Sequence, residues 1–421
     1  MGSIPHDRAL ESGPAFLREG YLFVSNRCRR LGTDAFRTRL GGRPAVCMLG
    51  REAAEVFYGH RLTRRGGVPK PIQTLLQDEG SVQTLDGEEH RHRKELFLQV
   101  AGPDVSAELG ERVAEEWESA LPEWERRREL VLLPALEELL CRAVCAWAGV
   151  PLADDREARE RTQELSAMID GAGSIGPRNW RGHLLRRRTE RWAAVLVERV
   201  RRGELEVPQA SALAEIARHR DLEGSLLEPP VAAVELVNVL RPVVAVARFA
   251  VFGAVALERD PASRELLADG SDEEAEAFVQ EVRRFYPFFP AVAGRVVEPF
   301  EWRGHRFASG RLVLLDLYGT NHDARIWDEP EVFRASRFLD WEGDPYTLVP
   351  QGGGEHLRGH RCPGEWATIE TSKALLRRLA QLDHRLPPQD LSIELSRLPA
   401  QPKSGVVLEL RAARTRPRAL R

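Results

Sequence analysis

The chain has 421 residues, of which 43% are hydrophobic and 30% charged, with a formal net charge of −3. That is enough apolar material for a substantial core, while the mixed charge leaves no basic field for nucleic acid and no strong acidic bias. Five cysteines (Cys28, Cys47, Cys141, Cys145 and Cys362) are too sparse and odd in number for a disulfide framework and suit a reducing cytosol.

Met1–Glu19 shows neither the charged nor the apolar run of a signal peptide, so a cytoplasmic protein without a membrane anchor is expected. From Leu22 to Tyr58 the pattern suggests short strands and turns. From Glu88 to Val150 it is mostly helical: Leu109, Val113, Trp117 and Leu121 recur every four residues. Val150-Pro151 reads as a helix stop. Further helices are predicted at 155–169, 180–202, 209–218, 230–258, 261–267 and 272–285. The most apolar stretch, Val231–Leu257, contains Glu235, Asn238, Arg241 and Arg248, which suits a buried helix rather than a membrane span.

Next comes a β-like part. Segments 296–303 and 305–317 are expected to form a hairpin about Arg303-Gly304, followed by an irregular stretch to Arg361. Cys362-Pro363-Gly364 opens a last long helix, 365–382, and the tail 391–410 suits a short hairpin. The whole, 1–421, reads as one mainly helical domain with small sheets.

The residues that could carry chemistry begin with Cys362, at the end of Gln351-Gly-Gly-Gly-Glu-His-Leu-Arg-Gly-His-Arg-Cys362-Pro-Gly364. A thiolate at a helix N-terminus is favoured by free backbone N–H groups, and glycines let a flat macrocycle approach the backbone. A buried structural cysteine fits the loop equally well. Glu281 and Arg284 share a helix face at i and i+3, and Arg337, in Pro330-Glu-Val-Phe-Arg-Ala-Ser-Arg337-Phe338, could lock onto that pair.

Arg241 stands in the middle of an apolar helix, where a guanidinium needs an anion or water or a structural pairing with Glu235 or a neighbouring helix, and Pro242 removes a backbone N–H and is expected to kink the helix there. Cys141 and Cys145, four apart, read as an apolar helix face rather than a metal pair. Arg186–Arg188 reads as a solvated face, and Gly352–Gly354 lacks the residues of a phosphate loop.

The order of Glu-x-x-Arg, a Pro-x-x-Phe…Arg-Phe meander and a Gly-rich Cys-x-Gly loop before a helix resembles the cytochrome P-450 superfamily. The resemblance implies a triangular, mainly helical fold, haem b as cofactor and Cys362 as axial ligand of its iron. Two departures stand out: Glu355 and Arg358 replace the usual loop Phe and Gly, and Leu236–Val244 has no acid beside a threonine.

Both departures match the peroxide-using fatty-acid hydroxylases and decarboxylases. That branch is similar also in Leu85-Asp-Gly-Glu-Glu-His-Arg-His-Arg-Lys94, Gly176-Pro-Arg-Asn-Trp-Arg-Gly182, Leu240-Arg241-Pro242 and Phe285-Tyr-Pro-Phe-Phe-Pro290. It implies that Arg241 fixes a fatty-acid carboxylate above the iron, with Pro242 beside it, and that hydrogen peroxide serves as oxidant without a redox partner. It implies Gln83 on the distal side, tilting the outcome toward hydroxylation, and Arg64 (with Arg65 as competitor), His90 and Lys94 on the haem propionates. Gln77, Ile169, Ala172, Phe288 and Phe289 would line the substrate pocket. The alternatives are a monooxygenase fed by redox partners and a non-catalytic haem or fatty-acid binding protein.

Overall fold

The computed structural model describes residues 4–59, 61–78 and 80–411. Local signals fix several helices at both ends. Ser271 forms a capping box with Glu274, the first turn of Asp272–Phe285 is acidic, and Arg283 and Arg284 close the last turn, opposing the helix dipole. Asp154 caps Asp155–Gly171 by accepting from Glu157 N at 2.8 Å. In Pro103–Arg127 the four-residue stripe Leu109, Val113, Trp117 is buried as expected, and Trp117 meets Trp124 edge to face at 5.0 Å.

These helices pack around one large apolar core. Its spine is Pro229–Ala245 and Ala247–Arg259, flanked by Leu132–Trp147, Asp155–Gly171, Pro177–Arg201 and Glu365–Gln381. The spine is long and apolar enough to cross a membrane, but its most apolar window is 94% buried inside the protein. The helix runs through Pro242 and is interrupted at Val246, one turn beyond the position expected for the kink.

A smaller core lies under a five-stranded sheet. Ala35–Leu40 pairs antiparallel with Arg43–Leu49, which runs parallel to Leu312–Asp316; Ala291–Val296 and then Leu62–Thr63 complete the order. The first hairpin turns through Gly41 and Gly42, both at positive φ, as a two-residue turn matched to strand twist requires.

Four expectations need correction. Segment 22–58 holds two helices besides its strands, Phe23–Leu31 and Arg51–Tyr58. The first escapes notice because its buried face includes Arg27, satisfied by Asp7 at 2.8 Å and Glu19 at 2.9 Å. The Arg303-Gly304 turn joins only Phe300–Trp302 to His305–Phe307, while the flanking strands pair with each other in the sheet. The tail is no simple hairpin: Val407–Leu410 pairs with Glu129–Val131 and His384–Arg385, and the 391–402 stretch contributes one bridge, Ile393 to Pro402. A short helix, Lys70–Leu76, stands where no element was expected.

Candidate active site

The cysteine loop rests on a buried ionic scaffold. Arg284 grips Glu281 with both ends of its fork, at 2.7 and 2.8 Å, and Arg337 Nε lies 3.1 Å from the same carboxylate. Glu281 also accepts from Arg334 N, and Arg284 donates to the carbonyls of Asn321 and Pro330, so the pair ties down the meander. The sequence-predicted triad is thus brought together.

A second cluster was not anticipated. Arg283, fully buried, reaches both Glu365 and Gln351, and Arg361 bonds Glu365 at 2.6 Å. These cations hold the Glu365 carboxyl at about 2 against the opposing effect of burial. Gln351 in turn donates to Thr368 and approaches Cys362 Sγ at 4.0 Å.

Cys362 lies three residues before helix Glu365–Gln381. Burial pushes its thiol up, reinforced by Glu365, while Gly364 N–H, Lys94 and Arg283 pull the other way. The helix terminus alone therefore does not make a thiolate here; a bound metal cation would. The glycine run also differs in purpose from the expectation. A Cβ on Gly353 would stand 2.6 Å from Pro345 O and one on Gly354 2.9 Å from Tyr58 Cβ, so these glycines admit protein, whereas Gly364 has nothing within 4 Å.

The residues on this side suit haem b. Lys94 is buried with no carboxylate partner among the described residues; it donates to Gly359 O and, at 2.9 Å, to Arg361 O, and burial brings it down to about 8. Arg64 lies over the rings of Phe57 and Tyr58; its backbone N donates to Asp86 at 3.2 Å, but its guanidinium has no carboxylate partner among the described residues, and Tyr58 Oη is buried without a hydrogen-bond partner. Arg65 instead is exposed and faces Glu89 at 3.8 Å, which separates the two candidates. His90 lies tilted against His360, ring centroids 3.9 Å apart, and is pushed down to about 3 by burial and that neighbour, leaving a neutral N–H donor. A half-buried cysteine beside cations without carboxylate partners, and neutral donors, fits an iron porphyrin with two propionates.

Arg241 stands on the central helix Pro229–Ala245. It is 6% exposed, donates from Nη2 to Leu76 O at 2.6 Å and to Asn238 Oδ1 at 3.5 Å, and its buried Nε has no partner. Burial, with the nearby Arg186 cation, brings it down to about 9, still a cation at neutral pH. The nearest acid on its helix, Glu235, is fully buried and committed elsewhere: it accepts from Arg93 at 2.8 Å, from Val82 N at 2.9 Å and from Asn238 at 3.1 Å. Asn238 also donates to Gln83 Oε1 at 3.3 Å. Arg93 and Asn238 were missed by sequence reasoning, although Asn238 precedes Arg241 by three and shares its face.

The other residues expected to line a substrate pocket are placed as follows. Gln77 ends helix Lys70–Leu76, next to the carbonyl held by Arg241. Ile169 and Ala172 close helix Asp155–Gly171. Phe288 stacks on Phe249 at 4.2 Å and meets Phe289 edge to face at 4.9 Å; Phe289 is 37% exposed.

Comparison with known proteins gives a consistent result. A family model described as cytochrome P450 matches residues 275–407. Cytochrome P450 4A7 of Oryctolagus cuniculus is 29% identical over 136 residues, 32% of this chain and 26% of that protein. Cytochrome P450 71A8 of Mentha piperita is 33% identical over 129 residues, 29% of this chain and 25% of that protein. The chain thus spans about a quarter of those two curated relatives. Solved structures match throughout. A variant of cytochrome P450SP alpha is 47% identical with a TM-score of 0.92, covering 95% of this chain and 98% of that one. Cytochrome P450EX alpha with myristic acid is 42% identical, at a TM-score of 0.92 and coverage of 97% and 99%. A variant of cytochrome P450 OleT in complex with arachidonic acid is 33% identical, at 0.93 and coverage of 97% and 98%.

Proposed function

The chain belongs to the cytochrome P450 superfamily, in its peroxygenase branch, and from that premise we propose that it uses hydrogen peroxide to hydroxylate free fatty acids at the α or β carbon, with oxidative decarboxylation to a terminal alkene as an accompanying outcome. Haem b is the cofactor the family implies. Cys362 would ligate its iron, and Arg64, His90 and Lys94 would hold its propionates. Bound there, the thiolate-ligated haem supplies O–O cleavage and hydrogen abstraction.

The observation that carries the reading is the state of Arg241. A buried guanidinium normally has a carboxylate partner, and here the acid on its own helix is taken by Arg93. Arg241 is left without a carboxylate among the described residues and with its Nε unpartnered, a guanidinium suited to hold a substrate carboxylate. That carboxylate serves as the acid–base group that stretch Leu236–Val244 lacks. Anchoring the acid at its head exposes the adjacent carbons to oxidation and leaves the distant ones out of reach. Gln83, joined to Arg241 through Asn238, occupies the polar end of the same network. Oligomeric state plays no part in this reading, and no redox partner is needed.

The test is to incubate the haem-loaded protein with hydrogen peroxide and free fatty acids of varied length, with Arg241→Ala and Arg241→Lys alongside, and to read products by mass spectrometry. Hydroxy acids or alkenes that disappear in Arg241→Ala and persist weakly in Arg241→Lys are expected. Turnover only with reductant and redox partners would replace this reading by the monooxygenase, and no product at all, despite fatty-acid binding, by the binding protein.

A further inference from the structure

Helix Pro177–Arg201 carries a surface that the proposed reaction does not use. Trp180 and Leu184 are 69% and 65% exposed, and Ile175, just before the helix, is 78% exposed. Positions 180, 184, 187, 191 and 195 recur at three- and four-residue spacing and share one solvent stripe. Arg187 and Arg191 are exposed members of it, and Arg181 flanks it. None of the three pairs with a carboxylate among the described residues; Arg191 donates only to Arg187 O, at 3.1 Å. Arg188, alongside, is committed to Glu160 and Glu164 at 2.9 and 3.0 Å. The one acid between Pro177 and Val195 is Glu190, which lies outside the stripe, lines the neighbouring cleft with Arg187 and bonds Arg186 at 2.6 Å.

Large apolar side chains standing in water beside unpaired cations, with no acid among them, make a face suited to the headgroup region of an anionic bilayer. There the indole and leucine sink to the acyl boundary and the guanidiniums meet phosphates. The adjoining face of the same helix lines a cleft of 540 Å³ with Asn179, His183, Arg186, Arg187 and Glu190, closed on the other side by Lys70, Thr74 and Asp78, so the cleft itself carries both signs of charge. Arg186 Nη1 holds Leu75 O at 2.7 Å while Arg241 holds Leu76 O, so a residue of the cleft wall and the proposed carboxylate anchor grip successive carbonyls of one helix end.

We propose that Ile175, Trp180 and Leu184, with Arg181, Arg187 and Arg191, dock this helix on the surface of an anionic phospholipid bilayer and bring the cleft to the boundary where free fatty acids partition. The docking stands independently of the reaction; only the purpose given to the cleft rests on the fatty-acid reading.

The haem-loaded full chain would be sedimented with vesicles of phosphatidylcholine containing phosphatidylglycerol, and with phosphatidylcholine alone. Binding to the anionic vesicles and release by high salt are expected. Trp180→Ser with Leu184→Ser should weaken binding at least about 10-fold, and Arg187→Gln and Arg191→Gln about 5-fold each. No binding to anionic vesicles, or binding that all four substitutions leave unchanged, would overturn the proposal. So would a lipid-free dimer dissolved by Trp180→Ser, which would make this face a contact between two copies. Vesicle binding without fatty-acid oxidation would leave the docking standing and remove the reaction.

Discussion

Arg93 is expected to matter more than its distance along the chain from Arg241 suggests. Its Nη1 lies 2.8 Å from Glu235 Oε1, with the two side chains 9% and 0% exposed. Replacing Arg93 by Met leaves that carboxylate with Val82 N and Asn238 but no cation. Breaking a buried pair from one side costs about 3–5 kcal/mol, limited by the option of protonating the acid. Burial already raises the Glu235 pKa, so that option is within reach. Adding Glu235→Gln to Arg93→Met removes the stranded charge and should restore part of the loss, giving a strongly non-additive cycle. Chemical denaturation of the haem-loaded protein measures the four corners. In the single variant, Glu235 also competes through Asn238 for the cation that a fatty acid needs, so acid-induced shifts of the haem spectrum should require more ligand. A loss for Arg93→Met below about 1 kcal/mol, or costs that simply add, would show that Glu235 is not held as described and would undo the account of why Arg241 is free.

Two further outcomes follow from the geometry. Gln83→His places a titratable ring against Asn238 and is expected to move products from hydroxy acids toward terminal alkenes; an unchanged ratio by mass spectrometry would free Gln83 of any part in the partition. His322 is pushed down to about 4 by burial, so the native ring stays neutral while the unfolded chain takes up a proton below about pH 6.5. Its contribution to stability is complete above that pH and is lost as the pH falls toward 4, by at most about 3 kcal/mol; urea unfolding across this range should show a shallower decline in His322→Phe than in the unaltered protein.

What could be read from the sequence depended on how local its cause was. Asp272–Phe285 was placed at both ends because Ser271, the acidic first turn and the basic last turn all lie within it. Phe23–Leu31 was not, because the partners that let Arg27 be buried lie outside the helix. The parallel pairing of Arg43–Leu49 with Leu312–Asp316 joins segments more than 260 residues apart and leaves no local trace. The site divides the same way. Cys362 and the Glu281–Arg284 pair were legible from spacing and motif order, and Arg241 from its apolar surroundings. The Arg93–Glu235 pair, 142 residues apart, was not, and neither was the bond from Arg241 to Leu76 O.

That last bond makes Arg241 a part with two employers. Helix Lys70–Leu76 is seven residues long, has no side-chain cap, and is fastened at its end by Arg241 and Arg186 from two other helices. A helix this short has little stability of its own. The cation that would greet the substrate also keeps the neighbouring wall in place. Loss of activity on changing Arg241 is therefore a sum of a missing anchor and a loosened wall, and natural drift at this position would have to satisfy both at once. Any lineage that traded this arginine for another anchor would first need a new way to fasten residues 70–76.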